Sequence, residues 1–134
     1  MSGGRSLVVL ASCALLLGCG PAEPLRVGFI GGLSDRNSDV GQAGHNGVVL
    51  AVEQINRAGG IHGRQVELIS RDDAQNRETA ERSARELAAA RVDAVIGPFT
   101  SSVAAAVLPV LAQNGTLLIS PTLTSMDFHG KDDN

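Results

Sequence analysis

The chain has 134 residues, with 14 acidic against 11 basic side chains and a net charge of −3. Trp and Tyr are absent and only Phe29, Phe99 and Phe128 are aromatic, so a mildly acidic, evenly mixed surface excludes a base-stacking platform and argues against nucleic acid as a partner. The 110 residues from Leu25 to Asn134 suffice for one modest hydrophobic core.

In chain order, Met1 to Arg5 supplies one positive charge and Leu7 to Leu17 is an apolar run too short to span a bilayer. The run closes with Leu16-Leu17-Gly18-Cys19, which resembles a bacterial lipoprotein signal in which Gly18 permits cleavage and Cys19 takes the lipid. An ordinary secretory signal with an incidental cysteine is the alternative. Residues 1–18 are thus expected to be a signal peptide and 19–24 the lipidated cysteine and a Pro-containing tether. The product is expected to be exported and anchored to a membrane through lipid alone, since no later apolar span exists. Removal of residues 1–18 leaves Cys19 as the sole cysteine, so no structural disulfide is expected.

Leu25 to Ile30 reads as a first strand, ending at Gly31-Gly32, and the polar stretch Ser34 to Gly41 as a loop. Gln42 to Ala58 carries Val48, Ala51, Val52 and Ile55 at helical spacing, and Gly59-Gly60 stops it. Ile61 to Arg64 makes a tight turn before a second strand, Gln65 to Ser70. Asn76 is a candidate N-cap for a helix that places Ala80, Ala84, Leu87 and Ala88 on one face. Asp93 to Ile96 is a short third strand, apolar enough to be covered on both faces. Ser101 to Gln113 is a third helix with Val103, Val107, Val110 and Leu111 inward, which Pro109 should bend or end early. Asn114-Gly115 closes it, and Thr116 to Ile119 is a fourth strand. His129 to Asn134 has neither pattern and reads as the middle of a loop. The order β-α-β-α-β-α-β predicts an α/β fold with a doubly wound parallel sheet.

Two stretches carry the functional signal: Gly97 to Ser102, and Ile119 to Thr124. Each follows a strand and offers small hydroxyls where a parallel sheet ends, and ligands of open α/β sheets sit beyond those carboxyl ends. The first also runs into a helix, whose free N–H groups and partial positive charge suit a carboxylate. Ser101 alone serves equally as a helix cap, whereas Thr122 and Thr124 at the next strand end favour a ligand role. No nucleophile with its base is evident, so the pattern indicates holding a small molecule and not an enzyme. Asp72-Asp73 could bind a metal or act as acid and base, but without a partner lysine or threonine pattern they read as loop anchors. Gly28 to Gly32 is a poor dinucleotide fingerprint because a polar loop follows it. His45, His62 and His129 lack ligand spacing, so neither a metal nor another cofactor is expected.

The segment Gly44 to Gly60, with Ile61-His62-Gly63, Asp72-Asp73, Ile96-Gly97-Pro98 and Ile119-Ser120-Pro121, resembles the amino-terminal part of a type I periplasmic substrate-binding protein. Its nearest likeness is to the leucine/isoleucine/valine receptors of ABC transporters, from Leu25 to about Met126. The resemblance implies that residues 25–134 form an incomplete N-terminal lobe, lacking the hinge, the second lobe and the far half of the pocket. It implies an amino acid of branched-chain type or a related small carboxylate as ligand, bound by lobe closure, and an ABC permease as partner. Ser101 matches a serine that meets the ligand's α-carboxylate, and Thr124 a threonine on the same head group. Thr122 falls where a backbone carbonyl faces the α-ammonium, and Val40 at a loop position where amino-acid receptors often carry an aromatic. Some relatives join cysteines near positions 75 and 100; here these are Gln75 and Thr100, so that bridge is absent. The same lobe pair can also serve as the input domain of a membrane sensor, the alternative function.

Overall fold

The computed structural model describes residues 22–34 and 38–128; the signal, Cys19, the first part of the tether and the expected loop from His129 to Asn134 lie outside them. Seven main elements alternate: β1 (Leu25–Gly31), α1 (Asp39–Arg57), β2 (Val66–Asp72), α2 (Arg77–Ala89), β3 (Ala94–Ile96), α3 (Ser101–Gln113) and β4 (Leu117–Ile119). A single 3-10 turn, Met126–Phe128, follows. All pairings are parallel and the strand order is β2-β1-β3-β4. The order therefore reverses between β1 and β3, which is where a doubly wound sheet opens a crevice for a ligand.

Alternation along β1 sends its side chains to two different layers. Ile30 and Gly28 face Leu87 and Val95, and this layer is closed by Val103, Val107 and Leu111 of α3. Phe29 faces the opposite layer, where its ring meets His45 of α1 edge-on at 5.0 Å and Phe99 at 5.6 Å. Phe29, Ile30, Leu87 and Leu111 are fully buried, and each contributes roughly 1.5–3 kcal/mol by leaving water.

The two layers differ in coverage. On the α2–α3 side the core is closed, but on the other side α1 covers only β1 and β2. Ala94 and Ile96 of β3 are half-buried there, and Leu117 and Ile119 of β4 are 60% and 50% exposed. The expectation that β3 is covered on both faces is therefore corrected: its apolar sequence favours burial on both faces, but the described elements close only the α2–α3 side.

Three further expectations are corrected. First, α1 begins at Asp39, so residues 39–41 of the expected loop are helical. The Ser38 carbonyl accepts from Gln42 N at 2.7 Å, its hydroxyl accepts from Gln42 Nε2 at 2.6 Å, and Asp39 puts a negative charge in the first turn. Second, α3 continues through Pro109 to Gln113, so of the two expected effects, a bend or an early end, the early end does not occur. Pro109 and Ala105 are both exposed, so water can reach the carbonyl that a proline N–H cannot serve. Third, Ser83 and not Ala88 completes the buried face of α2, and its hydroxyl donates to the Asp72 carbonyl at 2.9 Å. Asn76 is the N-cap as expected, accepting from Thr79 N at 3.0 Å.

Asn56 explains why an amide side chain stands near the end of α1. Its Nδ2 donates to the Val66 carbonyl at 2.8 Å while its Oδ1 accepts from Val66 N at 2.7 Å. This two-point pairing fixes the end of α1 against the start of β2.

Candidate functional site

The carboxyl ends of all four strands are tied together by small polar side chains bonding to backbone. Asp72, the last residue of β2, accepts from Leu33 N at 2.8 Å, from Ala74 N at 2.9 Å and from the Ser34 hydroxyl. It thus joins the loop after β1 to the loop after β2. Asp73, almost fully buried, accepts from Gln75 N at 2.7 Å and donates its own N–H to the Gly31 carbonyl at 3.1 Å. On the other side of β1, Ser120 donates to the Pro98 carbonyl at 2.5 Å and Thr122 to the Phe99 carbonyl at 2.9 Å. These bonds hold the loop after β4 against the loop after β3. Asp72 and Asp73 are loop anchors, as their sequence context indicates.

Two glycines allow the close approach of these loops. Gly97 has φ of +96°, and a Cβ there would run into the Ile30 carbonyl; its peptide with Pro98 is cis. Gly41, in the first turn of α1, lies so close to the Gly32 carbonyl that a Cβ has no room. Between these ends opens a cavity of about 240 Å³, lined by Gly32, Val40, Gly41, Asp73, Gln75, Phe99 and Thr100. A nearly all-apolar cleft of about 310 Å³ lies on the far side of Phe99, between α1 and the sheet.

Of the sequence-predicted site residues, Val40 lines this cavity, while Ser101, Thr122 and Thr124 are not among its walls and lie on the segments that follow β3 and β4. Ser101 is the first residue of α3 and half-buried. Its side chain, like those of Thr100 and Ser102, makes no hydrogen bond among the described residues, so the N-cap Thr100 leaves the first turn of α3 with unsatisfied N–H groups. Thr124 is exposed and also bonds to nothing described. Thr122 spends its hydroxyl on Phe99, so only its backbone carbonyl is free to face a ligand. Val40 sits in the first turn of α1 and not in a loop, and it is brought into the same cavity as Thr100. The residues that sequence reading missed as cavity walls are Phe99, Gln75, Thr100 and Gly32. Their signal was available: each lies within four residues of a strand end on either side of the reversal in strand order.

Among the described residues lining the cavity, Asp73 is the one ionisable side chain. Burial alone would raise the Asp72 carboxyl, but hydrogen bonds from the Ser34 hydroxyl and the Leu33 and Ala74 amides outweigh it and hold the group below its ordinary range. Among the histidines, His45 bonds the Ser70 hydroxyl at 2.8 Å beneath Phe29, and His62 lies in the turn at a φ of 50°. Each has a local structural place, and they do not meet. No group of three metal-ligating side chains occurs among the described residues, and no described helix is long and apolar enough to cross a membrane.

Comparison with known proteins matches this geometry to one family. The profile for periplasmic binding proteins matches residues 24–134. The Leu/Ile/Val-binding protein BraC3 of Rhizobium johnstonii is 37% identical over 103 residues, covering 77% of this chain and 28% of that protein. The crystal structure of the branched-chain amino acid transporter substrate-binding protein LivJ from Streptococcus pneumoniae, in complex with isoleucine, superposes with a TM-score of 0.75 at 35% identity. It covers 77% of this chain and 30% of that one. A substrate-binding protein of an ABC transporter from Desulfitobacterium hafniense, in complex with Leu, gives a TM-score of 0.67 at 31% identity, over 81% of this chain and 32% of that one. The chain thus spans under a third of the length of these relatives, all of which are binding proteins. With its parallel sheet, its helices on both faces and its profile match over nearly all of the described residues, the chain belongs to the periplasmic binding protein family.

Proposed function

We propose that this chain is the amino-terminal lobe of an exported receptor that captures an amino acid or related small carboxylate and delivers it to an ABC permease. The observation that carries the reading is the set of uncommitted groups at the crevice: the Ser101 hydroxyl, the first-turn N–H groups of α3, the Thr124 hydroxyl and the Thr122 carbonyl. A zwitterion needs donors for its carboxylate and an acceptor for its ammonium, and these groups offer both without a buried countercharge. The ligand would stabilise a closed arrangement of two lobes through contacts that only the closed form makes. Export through residues 1–18 and a lipid on Cys19 would keep the receptor beside its permease. The names of the relatives, which specify branched-chain amino acids and ABC transporters, support the ligand class and partner.

Titration calorimetry of the complete gene product carrying this chain, against the amino acids and short carboxylates, tests the reading. Binding of at least one amino acid is expected, and flat isotherms across the panel would refute it. Ser101→Ala combined with Thr124→Ala should weaken binding by about a hundredfold, from two lost hydrogen bonds to charged groups, with the circular dichroism spectrum unchanged. Unaltered affinity in the double variant would remove both residues from the site.

A further inference from the structure

Two separate spaces meet at one aromatic ring. Resting on the reading above, in which an amino acid is held beside Ser101, we infer that Phe99 sets the upper size limit of the ligand's side chain. It does so by closing the crevice cavity off from the apolar cleft between α1 and the sheet. Among the described residues Phe99 alone lines both, the 240 Å³ cavity together with Val40 and Thr100, and the 310 Å³ cleft together with Val48, Val52 and Ile55. The seat of the ring is cut from two glycines. A Cβ on Gly44 of α1 would run into the tip of the Phe99 ring, and one on Gly31 of β1 would crowd its edge at 3.2 Å. The fully buried Phe29 supports it, with ring centroids 5.6 Å apart.

The backbone under this ring is held independently of it. Ser120 donates to the Pro98 carbonyl at 2.5 Å and Thr122 to the Phe99 carbonyl at 2.9 Å, so truncating the ring removes a wall without releasing the loop. What lies behind that wall is apolar, walled by aliphatic side chains of α1 and by Ile96 of β3. A ligand side chain that extended past position 99 would leave water for apolar surroundings, which is favourable in proportion to the area buried. The ring denies that gain to long and aromatic side chains, while short ones end before they reach it.

The test is calorimetry of the complete gene product against the standard amino acids, in the wild type, Phe99→Ala and Phe99→Leu. The tightest wild-type ligand should be non-aromatic. In Phe99→Ala the affinity for phenylalanine, relative to that ligand, should rise at least about tenfold, with Phe99→Leu falling between. If Phe99→Ala does not accumulate as folded protein, a rise of about threefold in Phe99→Leu decides the matter. Urea denaturation checks the seat of the ring: Gly44→Ala should lower the midpoint in the wild type and not in the Phe99→Ala background. An aromatic amino acid as the tightest wild-type ligand would overturn the inference and leave the receptor reading standing. An unchanged ratio in the folded variants, or an equal loss for every ligand, would do the same, as would an equal cost of Gly44→Ala in both backgrounds. Binding of no amino acid by folded wild type would instead remove the underlying reading and this inference with it.

Discussion

Replacing Asp72 by Asn removes a charge from the junction of two crevice loops while keeping its shape. The wild-type carboxylate accepts three hydrogen bonds, from Leu33 N, Ala74 N and the Ser34 hydroxyl. In Asp72→Asn the remaining Oδ1 can still serve the two backbone donors, and the Ser34 hydroxyl can rotate to accept from the new amide. What is lost is charge assistance. Hydrogen bonds to charged groups contribute about 1.5–3 kcal/mol and neutral ones about 0.5–1.5, so three bonds would lose roughly 3–4 kcal/mol in a dry site. Asp72 is only half-buried, and solvent screening reduces that to about 1–2 kcal/mol.

The same carboxylate sets a pH dependence. Its folded pKa lies below the ordinary value of 3.8, so the unfolded chain binds the proton first as pH falls. The stabilisation is therefore fully present above that ordinary value and is lost as pH drops through the lowered folded value. Urea denaturation at pH 7 should give Asp72→Asn the lower midpoint. Toward pH 3 the gap between wild type and variant should narrow, because acid does to the wild type what the substitution has already done. Equal midpoints at pH 7, or a gap that is the same at both pH values, would refute the assignment of Asp72 as a charged strap.

Leu87→Ala deletes a fully buried side chain at the centre of the α2–α3 layer and should cost about 2–5 kcal/mol in denaturant unfolding. Gly97→Ala forces a Cβ into the Ile30 carbonyl at a left-handed φ of +96°; because backbone and not a flexible side chain is in the way, a loss of at least about 2 kcal/mol, or failure to accumulate folded protein, is expected. Asn76→Ala removes the acceptor for Thr79 N and should cost about 1 kcal/mol, recovered in large part by Asn76→Asp; an Ala variant as stable as the wild type would show that water serves the N–H equally well.

The elements most legible in the sequence were those whose local chemistry agrees with their place in the sheet. Asn76 followed by the Ala80, Ala84, Leu87 stripe needed only capping and periodicity, and both its cap and its buried face are where those rules put them, with Ser83 for Ala88. The start of α1 was not legible because Ser38, Asp39 and Gly41 look like loop residues one at a time. Gly41 is required by the close approach of Gly32, a tertiary fact with no local signature. Pro109 misled for the complementary reason: a missing N–H ends a helix only where the orphaned carbonyl cannot find water. In the crevice, Ser101, Thr122 and Thr124 could be placed at strand ends from the order of elements, since parallel βαβ units bring those ends to one edge. The hydroxyl of Thr122 could not be assigned that way, because whether it meets a ligand or the Phe99 carbonyl depends on the distance between two loops.

That last distinction supports the proposed site. Around the carboxyl edge of the sheet, Asp72, Asp73, Ser83, Ser120 and Thr122 all spend side-chain oxygens on backbone groups of neighbouring loops. Such bonds satisfy buried amides and carbonyls that loops crossing over a parallel sheet would otherwise leave unpaired. Thr100, Ser101 and Thr124 stand among them with the same chemistry and no such bond. Polar side chains scattered on a surface have water as a partner and need no further account, but two of these three are half-buried at the start of α3. Thr100 borders a cavity whose walls the surrounding straps hold in place, and Ser101 follows it in the chain. A rigid frame of satisfied groups around a few unsatisfied ones is what a preorganised binding site requires, since the cost of ordering the loops is met in folding and not again on capture.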